Sequence, residues 1–190
     1  MKKLLTALIF TLATAVGAGD FEDGMAASKR GDNKTAFSFF KKAAEQGDSE
    51  AQHFVGLFYD LGQLGGVTQD YAEAVRWFKL AAEQGHPEAQ YKVGLAYDNG
   101  TGVLQDYAEA VRWFKLAAAQ GDSLAQSNLG VMYGRGTGVL QDDVEAVRWF
   151  KLAAEQGHST AQFNLSVSYF EGTGVLQDYA EAVRWCKLAA

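Results

Sequence analysis

Cysteine, proline and histidine are nearly missing from this chain: one Cys (Cys186), one Pro (Pro87) and three His among 190 residues. A lone cysteine excludes an internal disulfide, so stability has to come from packing. A chain almost free of proline gives its helices few enforced breaks. Glycine, with 21 copies at recurring positions, supplies the punctuation instead. One thiol and scattered histidines provide no ligand spacing for zinc, and the acids stand singly rather than in a loop of oxygen ligands. No metal site and no cofactor is therefore expected. Positive charge is also short, with a formal net charge of −6. An acidic chain lacks the basic face that phosphates demand, which excludes nucleic acid as a partner.

No apolar run is long enough to span a bilayer. Lys2 and Lys3 lead into the 13-residue stretch Leu4–Val16, with small residues toward its end at Ala13-Thr14-Ala15 and Val16-Gly17-Ala18; a membrane helix needs roughly 20 apolar residues. Residues 1–18 read instead as a secretory signal peptide cleaved after Ala15 or Ala18. No stable membrane anchor is expected after cleavage, and the destination is the periplasm or beyond. Losing the two lysines, with no acid among residues 1–18, moves the formal charge from −6 to −8.

What the chain has in quantity is one element written four times. VLQDYAEAVRWFKLAAAQ from Val103 appears as VTQDYAEAVRWFKLAAEQ from Val67, VLQDDVEAVRWFKLAAEQ from Val139 and VLQDYAEAVRWCKLAA from Val175. Trp77, Trp113, Trp149 and Trp185 are 36 residues apart each time. A fixed period of that size marks a solenoid, whose single units cannot bury their apolar faces alone. Each copy begins near an Asp (Asp70, Asp106, Asp142, Asp178), and the first three stop at a Gly (Gly85, Gly121, Gly157), which predicts a second helix per unit. Helical projection places Tyr107, Ala110, Trp113, Phe114 and Ala117 on one broad side, with Glu109, Arg112 and Ala119 pointing away.

A first helix precedes each copy: SEAQHFVGLFYD, PEAQYKVGLAYD, SLAQSNLGVMYG and STAQFNLSVSYF. Pro87 sits at a first helical position, and Asp48, Asp122 or a neighbouring Ser cap the start. Glycine-rich connections (NGTGV, RGTGV, EGTGV) let the chain turn, with two extra residues in DLGQLGGV. The expected organisation is a signal peptide (1–18) and a degenerate opening helical hairpin (19–47) with Asp32 as N-cap. Four repeats follow, at 48–85, 86–121, 122–157 and 158–190, the last truncated and uncapped. Every element is α-helical.

The second helices are nearly copies, while the first helices differ at positions facing away from the core. His53, Phe54 and Leu57 occupy them in one unit, followed by Tyr91, Lys92 and Leu95. The later units hold Ser127, Asn128 and Val131, then Phe163, Asn164 and Val167. Packing demands sameness; a surface that meets a partner is free to vary. His86 and His158 stand where sister units have Asp48 and Asp122, so they read as helix starts rather than catalysts. His53 reads equally as partner contact or simple exposure. GTGV joins two helices and lacks the preceding strand and following Lys of a phosphate loop. No G-x-S-x-G or paired base supports a serine nucleophile, and an enzyme is not expected. Cys186 replaces a core Phe and is expected to be a buried, inert thiol, with an intermolecular disulfide as the alternative.

The pattern A-Q-x-x-L-G-x-x-Y, G-x-G-V, D-x-x-x-A-x-x-W, A-A-x-Q-G resembles the Sel1-like repeat family over residues 48–190. One unit carries it on Ala125, Gln126, Leu129, Gly130, Tyr133, Gly136, Gly138, Val139, Asp142, Ala146, Trp149, Ala153, Ala154, Gln156 and Gly157. The opening unit is more similar to a tetratricopeptide hairpin. The resemblance implies an all-α, right-handed α-solenoid of stacked antiparallel helix pairs whose first helices line a concave face. It also implies an adaptor that binds a protein or peptide there. Cysteine-rich members of that family act on β-lactams and carry a cysteine pair in each unit, which this chain lacks. The alternatives are an envelope enzyme on β-lactam or cell-wall substrates, which the missing cysteine pairs and catalytic cluster disfavour, and a structural module self-associating through its open C-terminal repeat. Ser166 departs from the pattern's first-helix Gly, which predicts a slightly wider last helix pair.

Overall fold

The computed structural model describes residues 19–190; the expected signal peptide lies outside the described residues. Among these residues the chain forms helices and no strand. Residues 19–29 form α1. Then come α2 (Asn33–Glu45), α3 (Ser49–Leu61), α4 (Tyr71–Glu83), α5 (Pro87–Asn99), α6 (Tyr107–Ala119), α7 (Ser123–Arg135), α8 (Asp143–Glu155), α9 (Ser159–Glu171) and α10 (Tyr179–Ala189). The extra residues between α3 and α4 wind into a 3-10 turn, Leu64–Gly66. None of the described helices is long and apolar enough to cross a membrane.

Capping explains where the helices start. Asp32, Asp48 and Asp122 each accept a backbone N–H from three residues ahead, at 3.1, 2.8 and 2.7 Å. His86 and His158 do the same with Nδ1, accepting from Ala89 and Ala161 at 3.2 Å. Asp70, Asp106 and Asp178 each take two N–H groups, the arrangement that best satisfies the orphan donors of a first turn. Their own N–H groups, with that of Asp142, donate to Tyr59, Tyr97, Tyr169 and Tyr133 carbonyls at 2.9–3.0 Å, which closes each helical hairpin. Glycine is obligatory at the third position of the G-T-G turn: Gly138 has φ 72°, and a Cβ there would strike the backbone of Tyr107.

The helices gather into two compact units. The first ends at Ala89 and takes in Thr101–Val103; the second is formed by Gln90–Gly100 and Leu104–Ala190. In the first, Ala36, Phe40, Val55, Phe58 and Trp77 form the core. In the second, one cluster centres on Phe114, Leu129 and Met132 and another on Phe150, Leu165 and Trp185.

One packing device recurs. A Cβ on Gly94 would lie 2.6 Å from the Phe114 ring, and one on Gly24 would lie 2.7 Å from Phe40. Gly56 against Phe78 and Gly130 against Phe150 repeat the arrangement. A helix backbone resting on a phenyl ring leaves no room for a methyl group. The last pair replaces both partners, with Ser166 on α9 and Cys186 on α10. Losing the ring makes room for the serine, which stays buried with Oγ donating to the Phe163 carbonyl at 2.7 Å.

Buried glutamines stitch neighbouring helices together. Gln52 Nε2 donates to the Ala44 carbonyl at 3.1 Å and its Oε1 accepts from Gln84 at 2.8 Å. Gln126 does the same between Ala118 and Gln156, at 3.2 and 2.8 Å. Gln162 repeats the bond to Ala154 at 3.1 Å, and its own Oε1 has no partner among the described residues.

Two expectations about burial need correction. Tyr107, expected on the core side, is 40 % exposed, while Val111 is 4 % exposed and joins the core. Val111 packs in the cluster that includes Ala125 and Leu129 of α7, so the following first helix, not α6 itself, decides which flank is covered. Cys186, expected to be buried, is exposed. On the same helix Val183, equivalent to the buried Val111 and Val147, is 54 % exposed, because no later first helix covers α10 among the described residues.

Candidate interaction face and a histidine cluster

In the first compact unit, His53, Phe54 and Leu57 are all half-buried on α3. Phe54 stacks on Phe40 with ring centroids 4.8 Å apart and joins an aromatic cluster with Phe21, so most of its area serves the core.

In the second unit, Tyr91, Lys92 and Leu95 are half-buried on α5, with the Tyr91 ring 5.8 Å from Phe114. Burial pushes the Tyr91 hydroxyl above its ordinary pKa, partly offset by a hydrogen bond with Asn128. Ser127, expected on the surface, is only 5 % exposed. It points into the packing of α7, which leaves Asn128 and Val131 to present that helix. These two line a cleft of about 300 Å³ with Asp98, Tyr107 and Arg135. Burial raises the pKa of the Asp98 carboxyl there. On α9, Asn164 and Val167 are half-buried and Phe163 is 54 % exposed, the most open large apolar group of the set. The structure thus lays eight of the expected residues along α5, α7 and α9 as a half-exposed flank, with Ser127 behind it.

A row of leucines went unnoticed in the sequence. Leu104, Leu140 and Leu176 follow the loop valine in successive repeats and are 91 %, 91 % and 89 % exposed. Their spacing was visible; their orientation depends on the valine beside them turning inward.

The first unit also brings together residues that sequence spacing kept apart. His53 Nδ1 lies 3.4 Å from His86 Nδ1, across 33 positions. Glu88 Oε2 is 3.3 Å from the same His86 nitrogen, and Glu50 Oε2 is 3.3 Å from His86 Nε2. That last contact is close but lacks the alignment of a hydrogen bond, and Nε2 has no hydrogen-bond partner. The donor atoms of His53, His86 and Glu88 all lie within 4.8 Å of one another. No ligand spacing predicted this, because the register of one helix against the start of another creates it.

The sequence model of the Sel1 repeat matches residues 19–48, 49–86, 87–122, 123–158 and 159–190. The chain belongs to the Sel1 repeat family. Its solenoid of packed helix pairs is that of solved Sel1 proteins. A Sel1 repeat protein from Oxalobacter formigenes is 33% identical with a TM-score of 0.87, over 98% of this chain and 78% of that one. A protective antigen present in uropathogenic Escherichia coli strains, displaying an SLR fold, is 48% identical with a TM-score of 0.77 over 80% of this chain. The present chain covers only 32% of that antigen's length. Helicobacter pylori cysteine rich protein B, 22% identical with a TM-score of 0.52 over 66% of this chain and 94% of that one, shares the fold. No curated protein matches the chain. The Sel1 match includes residues 19–48, the stretch that reads from sequence as a tetratricopeptide-like hairpin, and Gly24 against Phe40 gives that stretch the same helix contact as the other repeats. Sel1 repeats generally bind protein partners.

Proposed function

We propose that this Sel1 chain is an exported adaptor that holds a protein or peptide on the half-exposed flank of α5, α7 and α9. One observation carries the reading: the second helices are near copies whose alanines, Trp and Phe are committed to packing, while the first-helix flank changes from repeat to repeat. Tyr91/Lys92, then Asn128, then Phe163/Asn164 differ in size, charge and polarity along it. Phe163, Leu95 and Val131 supply apolar contact, and Lys92, Asn128 and Asn164 supply orientation. Export rests on the pattern of residues 1–18, and the compartment is the periplasm or the exterior.

The experiment is an affinity capture from an envelope extract with the processed chain beside a Phe163→Ala/Asn164→Ala variant. Tyr91 is left intact because its ring packs on Phe114 and its loss would disturb the core. A partner held by the wild type and lost from the folded variant supports the flank as the binding site. Equal capture by both would rule the flank out and move attention to the apolar surface of α10, where Val183 and Leu188 are each 54 % exposed. The mass of the exported chain should place its first residue after Ala15 or Ala18; an intact Met1 in the envelope fraction contradicts the signal peptide.

A further inference from the structure

We propose that His53, His86 and Glu88 form a transition-metal site, with zinc the ion that their donors fit best. Two imidazole nitrogens and one carboxylate oxygen are the mixed set that zinc accepts, whereas calcium and magnesium require oxygen throughout. The spacing agrees. Zinc bonds of about 2.0–2.1 Å in a tetrahedron put neighbouring donors roughly 3.3–3.4 Å apart. The observed separations are 3.4 Å between the two Nδ1 atoms and 3.3 Å from His86 Nδ1 to Glu88 Oε2.

A second observation comes from the other side of the ring. His86 is 7 % exposed, and its Nε2 stands 3.3 Å from the Glu50 carboxylate with no hydrogen-bond partner. A ligating histidine characteristically turns its second nitrogen toward a carboxylate, which fixes the tautomer and aims the free lone pair at the metal. Glu50 is a positioning residue in that sense. Binding has one local consequence: His86 Nδ1 also accepts the Ala89 N–H at 3.2 Å, so the metal would take over the lone pair that caps α5.

The set occurs once. At the equivalent register, Tyr91 accompanies the cap Asp122, and Ser127 accompanies the cap His158. Only His53 and His86 pair two imidazoles, and only there does an acid, Glu88, follow two residues after a histidine cap. Three protein ligands leave a fourth position for water or a partner's side chain.

The test is calorimetric titration of ZnCl2 into chelator-treated, tag-free protein, with circular dichroism on every variant. Wild type should bind one zinc per chain, and Co2+ in its place should give the intense visible bands of tetrahedral coordination. His53→Ser, which installs the residue found at Ser127, should weaken zinc by more than about a hundredfold, and Glu50→Gln by about 10–100-fold. His86→Asn keeps a capping side chain while removing the imidazole and should also abolish the cobalt bands. His158→Asn should change nothing. Absence of saturable zinc binding by the wild type overturns the proposal. So does unchanged affinity in folded His53→Ser, which decides the matter even if His86→Asn fails to fold.

Discussion

A single methyl group is enough to disturb this protein where helix backbone meets phenyl ring. Gly94→Ala would place a Cβ 2.6 Å from the buried Phe114 ring, and a close-packed neighbour has no slack to absorb the overlap. The expected loss is about 1–3 kcal/mol, read from urea denaturation; a variant as stable as wild type would show that the ring moves freely. Much at this scale was legible. The caps Asp32, Asp48 and Asp122, and His86 and His158 in their place, were readable because a cap and its N–H are three residues apart. The burial of Val111 and exposure of Tyr107 were not, since α7 and not α6 decides them. The histidine cluster was hidden for the same reason: its members meet only when α3 lies against the start of α5.

At the scale of the element, the second helix carries its own electrostatic signature. Glu73 and Arg76 pair at 2.8 Å, with matching pairs at 109/112, 145/148 and 181/184. Each arginine also lies over the adjacent tryptophan, 4.5 Å from centroid for Arg76 on Trp77. The ion pair follows from the three-residue spacing of Glu and Arg on the outward face; the cation–π contact is not legible in the sequence because i and i+1 side chains do not ordinarily share a helix face. The hydrogen bond from Arg76 is the main reason the Glu73 carboxyl sits below its ordinary pKa. A depressed carboxylate contributes stability above its unfolded pKa and loses it as pH falls through the folded one. Glu73→Gln should therefore be less stable than wild type at neutral pH, by under about 1 kcal/mol for so exposed a pair, with the deficit vanishing in acid below both pKa values. Denaturant midpoints followed from pH 7 down into acid check this. A deficit that does not shrink as the pH falls would assign the effect to something other than charge.

For the whole molecule, repetition made the fold readable, since any one helix pair could be judged against three sisters. Function was less readable because the informative residues are those that do not repeat. The described contacts are also local: α2–α3 and α3–α4 in the first compact unit, and the chain of pairs from α6 to α10 in the second. Helical proteins with contacts this local fold in microseconds to milliseconds. Stopped-flow tryptophan fluorescence should find the main refolding phase on the order of milliseconds or faster; a main phase of seconds would contradict it. The exchange of Gly and Phe for Ser166 and Cys186 bears on how such a chain can be copied and rearranged. Helices α4, α6 and α8 are interchangeable parts, each able to lie beneath α3, α5 or α7, because all three first helices offer a bare backbone. The α9–α10 pair is keyed differently. A recombinant that set an α8 sequence after α9 would drive Ser166 into a phenyl ring, and one that set α10 after α7 would leave an unfilled hole beneath Gly130. Duplicated repeats can therefore be shuffled freely only up to α8, and α9 and α10 have to travel together.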